Sequence, residues 1–176
     1  MEHAMNYFRW IIVIVWVGVW VALLQFGSSA WAFGTELSTS SMEGIRGVTV
    51  RVEGSLEKEI EQQGLTKDKL QQDVESQLQA AGITLLTDLE FLEAKDRPML
   101  SITINTLKHG EGYIFSVTAQ LYQHVYLIKK GQDKTYPSTT WSSAGAIGIF
   151  YNPEDLRSLV KEEVDTFIKA YLSANR

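Results

Sequence analysis

Two runs of alternating residues flank a single Gly-Glu pair, and one pairing alone satisfies both. Leu100, Ile102 and Ile104 alternate with Ser101, Thr103 and Asn105. Phe115, Val117, Ala119 and Leu121 alternate with Ser116, Thr118 and Gln120. A two-residue turn at Gly110-Glu111, with glycine first as a type II′ turn prefers, sets His109 opposite Gly112. Asn105 then meets Ser116, Thr103 meets Thr118 and Ser101 meets Gln120. On the other face Ile104 meets Val117, Ile102 meets Ala119 and Leu100 meets Leu121. One face is polar and the other apolar, and a slip of one residue would destroy the agreement.

The remaining elements are read around this hairpin. Val48, Val50 and Val52 alternate with Thr49, Arg51 and Glu53 as a first strand. Thr66 is a good N-cap for a helix to Ala81 whose apolar positions, Leu70, Val74 and Leu78, recur every four residues and form one stripe. Gly82 sits where a helix C-cap would place it, and Ile83 to Leu86 reads as a short strand. The acidic stretch from Asp88 to Asp96, followed by Arg97-Pro98, reads as a connection. The second hairpin strand continues to about Lys129, a length at which strands bend or carry a bulge. Lys130-Gly131-Gln132-Asp133 turns into a strand from Thr135 to Ala144, and Pro137 places that strand at a sheet edge. Asn152-Pro153-Glu154-Asp155 opens a helix with an N-cap, a first-position proline and first-turn acids. Its stripe runs through Leu156, Leu159, Val160, Val164, Phe167, Ile168, Tyr171 and Leu172. The expected order is β-α-β-β-β-β-α, an α+β two-layer sandwich with a mainly antiparallel sheet and two helices.

Ahead of this domain, Arg9 precedes an uncharged apolar run from Trp10 to Leu24, and Ala30-Trp31-Ala32 follows a Gly-Ser-Ser break. This is the tripartite pattern of a signal peptide over residues 1–32, cleaved after Ala32 at the small residues Ala30 and Ala32. The mature protein is then periplasmic. A retained inner-membrane anchor through residues 10–26 is the alternative, since about 20 apolar residues span a bilayer. Residues 33–44, rich in Ser and Thr, read as a flexible mature N-terminus before a single domain over 45–176. The chain has no cysteine, so there are no disulfides and the fold rests on its core alone. A net charge of −5 without a basic stripe argues against nucleic-acid binding.

Thr140-Trp141-Ser142, Gly145, Gly148, and then Val164-Asp165-x-Phe167-Ile168-x-x-Tyr171-Leu172-x-x-Asn175 resemble the ending of a family of small, uncharacterised exported bacterial proteins. The resemblance runs from the first strand onward and is most specific in this C-terminal third. It carries no assigned activity and therefore no catalytic residues. The expected architecture is also similar to that of the lipopolysaccharide-assembly lipoprotein and of transporter auxiliary proteins, a fold-level analogy from which the absent lipobox cysteine departs.

No catalytic motif rises above background. His109 belongs to a hairpin tip, and neither H-x-H nor H-E-x-x-H spacing occurs, so no metal site is expected. A hydrolase would need Ser142, His124 and Asp165 to converge, a combination that nearly any chain of this length offers by chance. Gly110-x-Gly112 is explained by its turn, and Gly145 with Gly148 lacks the third glycine and βαβ setting of a dinucleotide loop, so no cofactor is implied. Aromatic content is the feature that stands out. Tyr122, His124 and Tyr126 fall on the polar face, and a two-residue turn at Gly131-Gln132 sets Trp141 opposite Tyr122, giving an exposed patch for a partner or ligand. A turn longer by one residue sends Trp141 to the core instead. The expected function is a non-enzymatic cell-envelope binding or accessory module whose partner is an envelope protein or lipid. The alternative is a small-ligand or lipid-binding protein with a pocket between helices and sheet, near Ile147, Ile149, Phe150 and Tyr151.

Overall fold

Backbone pairing in the computed structural model follows the hairpin register pair for pair. It describes residues 39–126 and 134–176, all within one compact unit. The expectations for the signal segment (Arg9, Ala30, Ala32 and the span 10–26) and for the turn at Lys130–Asp133 lie outside the described residues. β2 (Met99–His109) and β3 (Gly112–Tyr126) are antiparallel, with Ile104 opposite Val117, Ile102 opposite Ala119 and His109 opposite Gly112. Gly110 has φ +58° while Glu111 stays at negative φ, the signature of a type II′ turn.

β1 (Thr49–Ser55) joins β2 in parallel, with Val50 beside Leu100 and Val52 beside Ile102. On the far side, β4 (Thr135–Ser142) and β5 (Ala146–Phe150) lie one after the other along the same edge of β3. β4 covers Gln120 to Tyr126 and β5 covers Tyr113 to Val117. The expected edge position of Pro137 is therefore observed. Between them the Ser143 N–H donates to the Ala119 carbonyl at 2.8 Å, and the Ser143 hydroxyl accepts from the Ala119 N–H at 3.0 Å. Gly145, at φ +74°, makes the break, and a Cβ there would meet the Val117 carbonyl at 3.0 Å. The result is a five-stranded mixed sheet in an α+β fold.

Two short helices and two long ones complete the described structure. α1 spans Lys58–Gln62, and α2 (Lys67–Ala80) starts where Thr66 accepts the Lys69 N–H, burying Leu70, Val74 and Leu78. α3 (Asp88–Glu93) follows, and α4 (Pro153–Ala174) starts at Asn152, whose side chain accepts the Glu154 N–H. α2 packs on β1 and α4, and α4 packs on β3 and β5. Leu100, Ile102, Ile104, Val117, Ala119 and Leu121 meet Val160, Val164 and Phe167 in the core. Both long helices lie on one face of the sheet, leaving a two-layer arrangement.

Four expectations are corrected. Ile83 to Leu86 forms only a single bridge, Val48 to Leu85, because Thr87 starts a new helix directly after it. The acidic stretch after Thr87 is that helix, α3, nucleated by a reciprocal capping box between Thr87 and Glu90. The strand expected to reach Ala144 ends at Ser142, and Ala146–Phe150 is a strand of its own. The part of the 33–44 segment that is described is docked rather than free: Met42 is fully buried in the core. Its carbonyl accepts the Asn175 side-chain amide, and the Asn175 side-chain carbonyl accepts the Gly44 N–H at 2.9 Å.

Candidate functional site

The sheet has a second face with no helix over it among the described residues, and its side chains follow from strand alternation. Arg51, Glu53, Ser101, Thr103, Thr118 and Gln120 form a polar belt across its middle, in which the Ser101 hydroxyl donates to Glu53 at 2.8 Å. At the hairpin-tip end the same face turns apolar. Leu107, Ile114 and Ile149 are direct cross-strand neighbours, and Ile147 sits beside Ser116 one row further. Leu107 is 62% exposed, Ile149 53% and Ile147 82%. Tyr151 lies over Gly112, where a Cβ would come within 2.9 Å of its ring, and is itself mostly exposed. Aliphatic side chains grouped on this sheet face, with charged and polar residues around them, form the candidate interaction surface.

The opposite end of this face holds three of the aromatic candidates. Tyr122 is half-buried and its hydroxyl donates to the Gln120 side chain at 3.1 Å. The His124 backbone N–H donates to the Asp96 carbonyl, and Tyr126 is 59% exposed. Trp141 does not join them, which corrects the expected patch. Pairing shifts between Leu121 and Tyr122, so that Trp141 faces Leu121, Thr139 faces Tyr122, and Thr140 is the extra residue of a bulge. Trp141 therefore points to the core, 4% exposed, with its ring edge-on to Phe167 at 5.5 Å between centroids. The bulge is held by polar bonds. The Thr140 hydroxyl donates to the Gln123 side chain, whose amide donates to Asp96 at 3.1 Å, so Gln123 is buried with its polar atoms satisfied.

Sequence reasoning missed the aliphatic row because it read Ile147, Ile149, Phe150 and Tyr151 as one block beside the last helix. Only Phe150 goes inward, stacked on Tyr113 at 5.3 Å. The usable signal was the period of two in Ile147-x-Ile149, which sends these two to the face opposite Phe150. The hydrolase combination is separated in space. Ser142 and His124 lie on the open face, opposite Gln120 and Pro137, which puts them about 13 Å apart along the strand. Asp165 sits on α4 in the other layer, accepting from Gln77 at 2.6 Å. Among the described residues no cluster of His, Asp and Glu is arranged to hold a metal ion, and no helix is long and apolar enough to cross a membrane.

The helical layer carries a groove of about 510 Å³ between α2 and α4, floored by Leu70, Val74 and Val160 and rimmed by Asp73, Arg157 and Lys161. Arg157 grips Asp73 with two hydrogen bonds, of 2.6 and 2.8 Å, and also reaches Glu154. That bidentate bond holds the Asp73 carboxyl below its ordinary range and pushes the guanidinium further from deprotonation.

The resembling C-terminal residues turn out to be structural. Trp141, Phe167 and Tyr171 form a continuous aromatic chain, and the Tyr171 hydroxyl donates to the Ile45 carbonyl at 2.6 Å. The Thr140 carbonyl accepts from Ser41, and Asn175 binds Met42 and Gly44. Together they latch residues 41–45 onto the end of the sheet and helix α4. No family model matches the chain, and no curated protein sequence matches it.

Proposed function

We propose that this protein is a non-enzymatic module of the bacterial cell envelope that binds a protein partner through the open face of its sheet. The observation that carries the reading is the exposed aliphatic row Leu107–Ile114–Ile149, with Ile147 and Tyr151 beside it. Leaving such a group in water forgoes roughly 25 cal/mol per Å² of burial, which a docked partner recovers. The export signal over residues 1–32, with cleavage after Ala32 or retention through residues 10–26, supports the envelope location. The resemblance to exported bacterial proteins supports the same compartment.

Tyr151→Ser tests this reading, because this side chain beside the row is largely exposed. The variant is expected to keep the wild-type unfolding temperature and to lose the envelope protein that cross-links to a photoreactive residue at Leu107. Equal cross-linking in both would overturn the reading.

A second reading is supported by the α2–α4 groove, whose apolar floor and the Lys161 ammonium on its rim suit a small amphipathic anion or lipid headgroup. Native mass spectra of the gently purified protein would then carry an added mass that Lys161→Glu, a change at an exposed rim position, removes. Clean apo spectra from repeated preparations count against it.

A further inference from the structure

Sheet edges are where an α+β protein of this kind can extend itself, and the edges here are not alike. β1 carries Arg51 and Glu53, and β4 carries Pro137 and the bulge at Thr140, all features that block further strand pairing. β5, Ala146-Ile147-Gly148-Ile149-Phe150, has none of them, and its only strand partner among the described residues is β3. No charged residue occurs between Lys134 and Glu154. In a chain of net charge −5 this uncharged edge is where a second copy can approach without setting like charges against each other.

We infer that two copies of this chain pair edge to edge through β5, antiparallel about a two-fold axis at Gly148, to make one continuous sheet. The strand is its own complement. With Gly148 opposite Gly148 of the second copy, Ile147 meets Ile149 of the second copy, and Ala146 meets Phe150. Directly opposed residues of an antiparallel pair share a face, so four isoleucines come together on the open side. The two Leu107–Ile114–Ile149 rows then join into one apolar strip crossing the dimer. Gly148 leaves the other face clear because the Phe115 ring fills its place, 3.1 Å from where a Cβ would stand. Each copy uses its β5 edge once, so the assembly closes as an isologous dimer and does not propagate.

This goes beyond binding of a partner by the open face, and its test reads different residues. The chain lacks cysteine, so a pair introduced as Ile147→Cys with Ile149→Cys reports on this contact alone. Opposed Cα atoms of such a pair lie about 4.5–5.5 Å apart, within the reach of a disulfide. Mild oxidation of intact cells expressing the full-length chain is expected to convert most of this variant to a covalent dimer on a non-reducing gel. A control pair on the other edge, Arg51→Cys with Glu53→Cys, is expected to stay monomeric. The wild-type chain in mild detergent is expected to sediment as a dimer, and Ile147→Asp with Ile149→Asp as a monomer with an unchanged far-UV spectrum. A monomeric wild type, or equal cross-linking by both cysteine pairs, overturns the dimer. Either result leaves cross-linking at Leu107 to an envelope protein as a separate observation, so the two failures are distinguishable.

Discussion

Phe167 is the largest of the fully buried side chains among the described residues. It is fully buried, it receives the edge of Trp141, and it continues to Tyr171 at 6.0 Å. Phe167→Ala is expected to cost about 3–5 kcal/mol, measured by chemical unfolding, whereas Lys161→Ala on the exposed side of α4 stays within about 0.5 kcal/mol. An unchanged unfolding midpoint for Phe167→Ala would mean that its stripe docks another chain instead of closing the core. Tyr171 adds a pH dependence. Burial raises its phenol above the ordinary value near 10, and its hydroxyl donates to the Ile45 carbonyl. The folded state therefore holds this proton more tightly than the unfolded chain does. That contribution is complete below about pH 10 and is lost as pH rises through the raised folded value. Tyr171→Phe is expected to cost about 1 kcal/mol near neutrality, from the orphaned carbonyl. The gap to wild type should then narrow above about pH 10, as read by unfolding free energies at a series of pH values.

At the scale of elements, the break between β4 and β5 decides which side chains face out. Gly145 at φ +74° and the Ser143–Ala119 bonds let two strands share one edge of β3. Gly145→Ala brings a Cβ to 3.0 Å from both Val117 and Thr118 at a backbone angle that favours glycine. It is expected to destabilise by about 1–3 kcal/mol, and amide exchange should rise first in β5 while β2 stays protected. Uniform loss of protection across the sheet would count against β5 as a separately held strand. The β2–β3 hairpin was legible because two independent alternations agree in a single register. α3 was legible in principle, since Thr87-x-x-Glu90 is a capping box, but its acidic composition masked it. α1, five residues with one buried side chain at Ile60, had no periodicity to read.

For the whole molecule, the helices are tied to each other as well as to the sheet. Arg157 and Asp73 join α4 to α2, and the Gln77 amide spans the Lys161 carbonyl and Asp165. Asp73 is held below its ordinary value mainly by its bond to Arg157, so this link stabilises above an unfolded value near pH 4. It is lost as pH falls through the lower folded value. Because both side chains are about a third exposed, 36% and 35%, its worth is no more than about 1 kcal/mol. Asp73→Asn is expected to show a flatter acid limb below about pH 4 and an alkaline limb identical to wild type, measured by thermal unfolding. An acid limb as steep as wild type would assign that slope to other carboxylates.

Side-chain periodicity is local, and it determined the hairpin register and the stripes of α2 and α4; residue type, equally local, determined their caps at Thr66 and Asn152 and the edge position of Pro137. The candidate site depended on something non-local. Whether Trp141 faces solvent or core turns on one extra residue at Thr140, which is fixed by a bulge whose polar partners, Gln123 and Asp96, come from elsewhere in the chain. Ile147 and Ile149 alternate as clearly as the hairpin does, yet alternation says only that they share a face. Which face carries no helix among the described residues was decided when α2 and α4 both settled on the other side of the sheet, and when Tyr171 and Asn175 drew residues 42–45 onto that same layer.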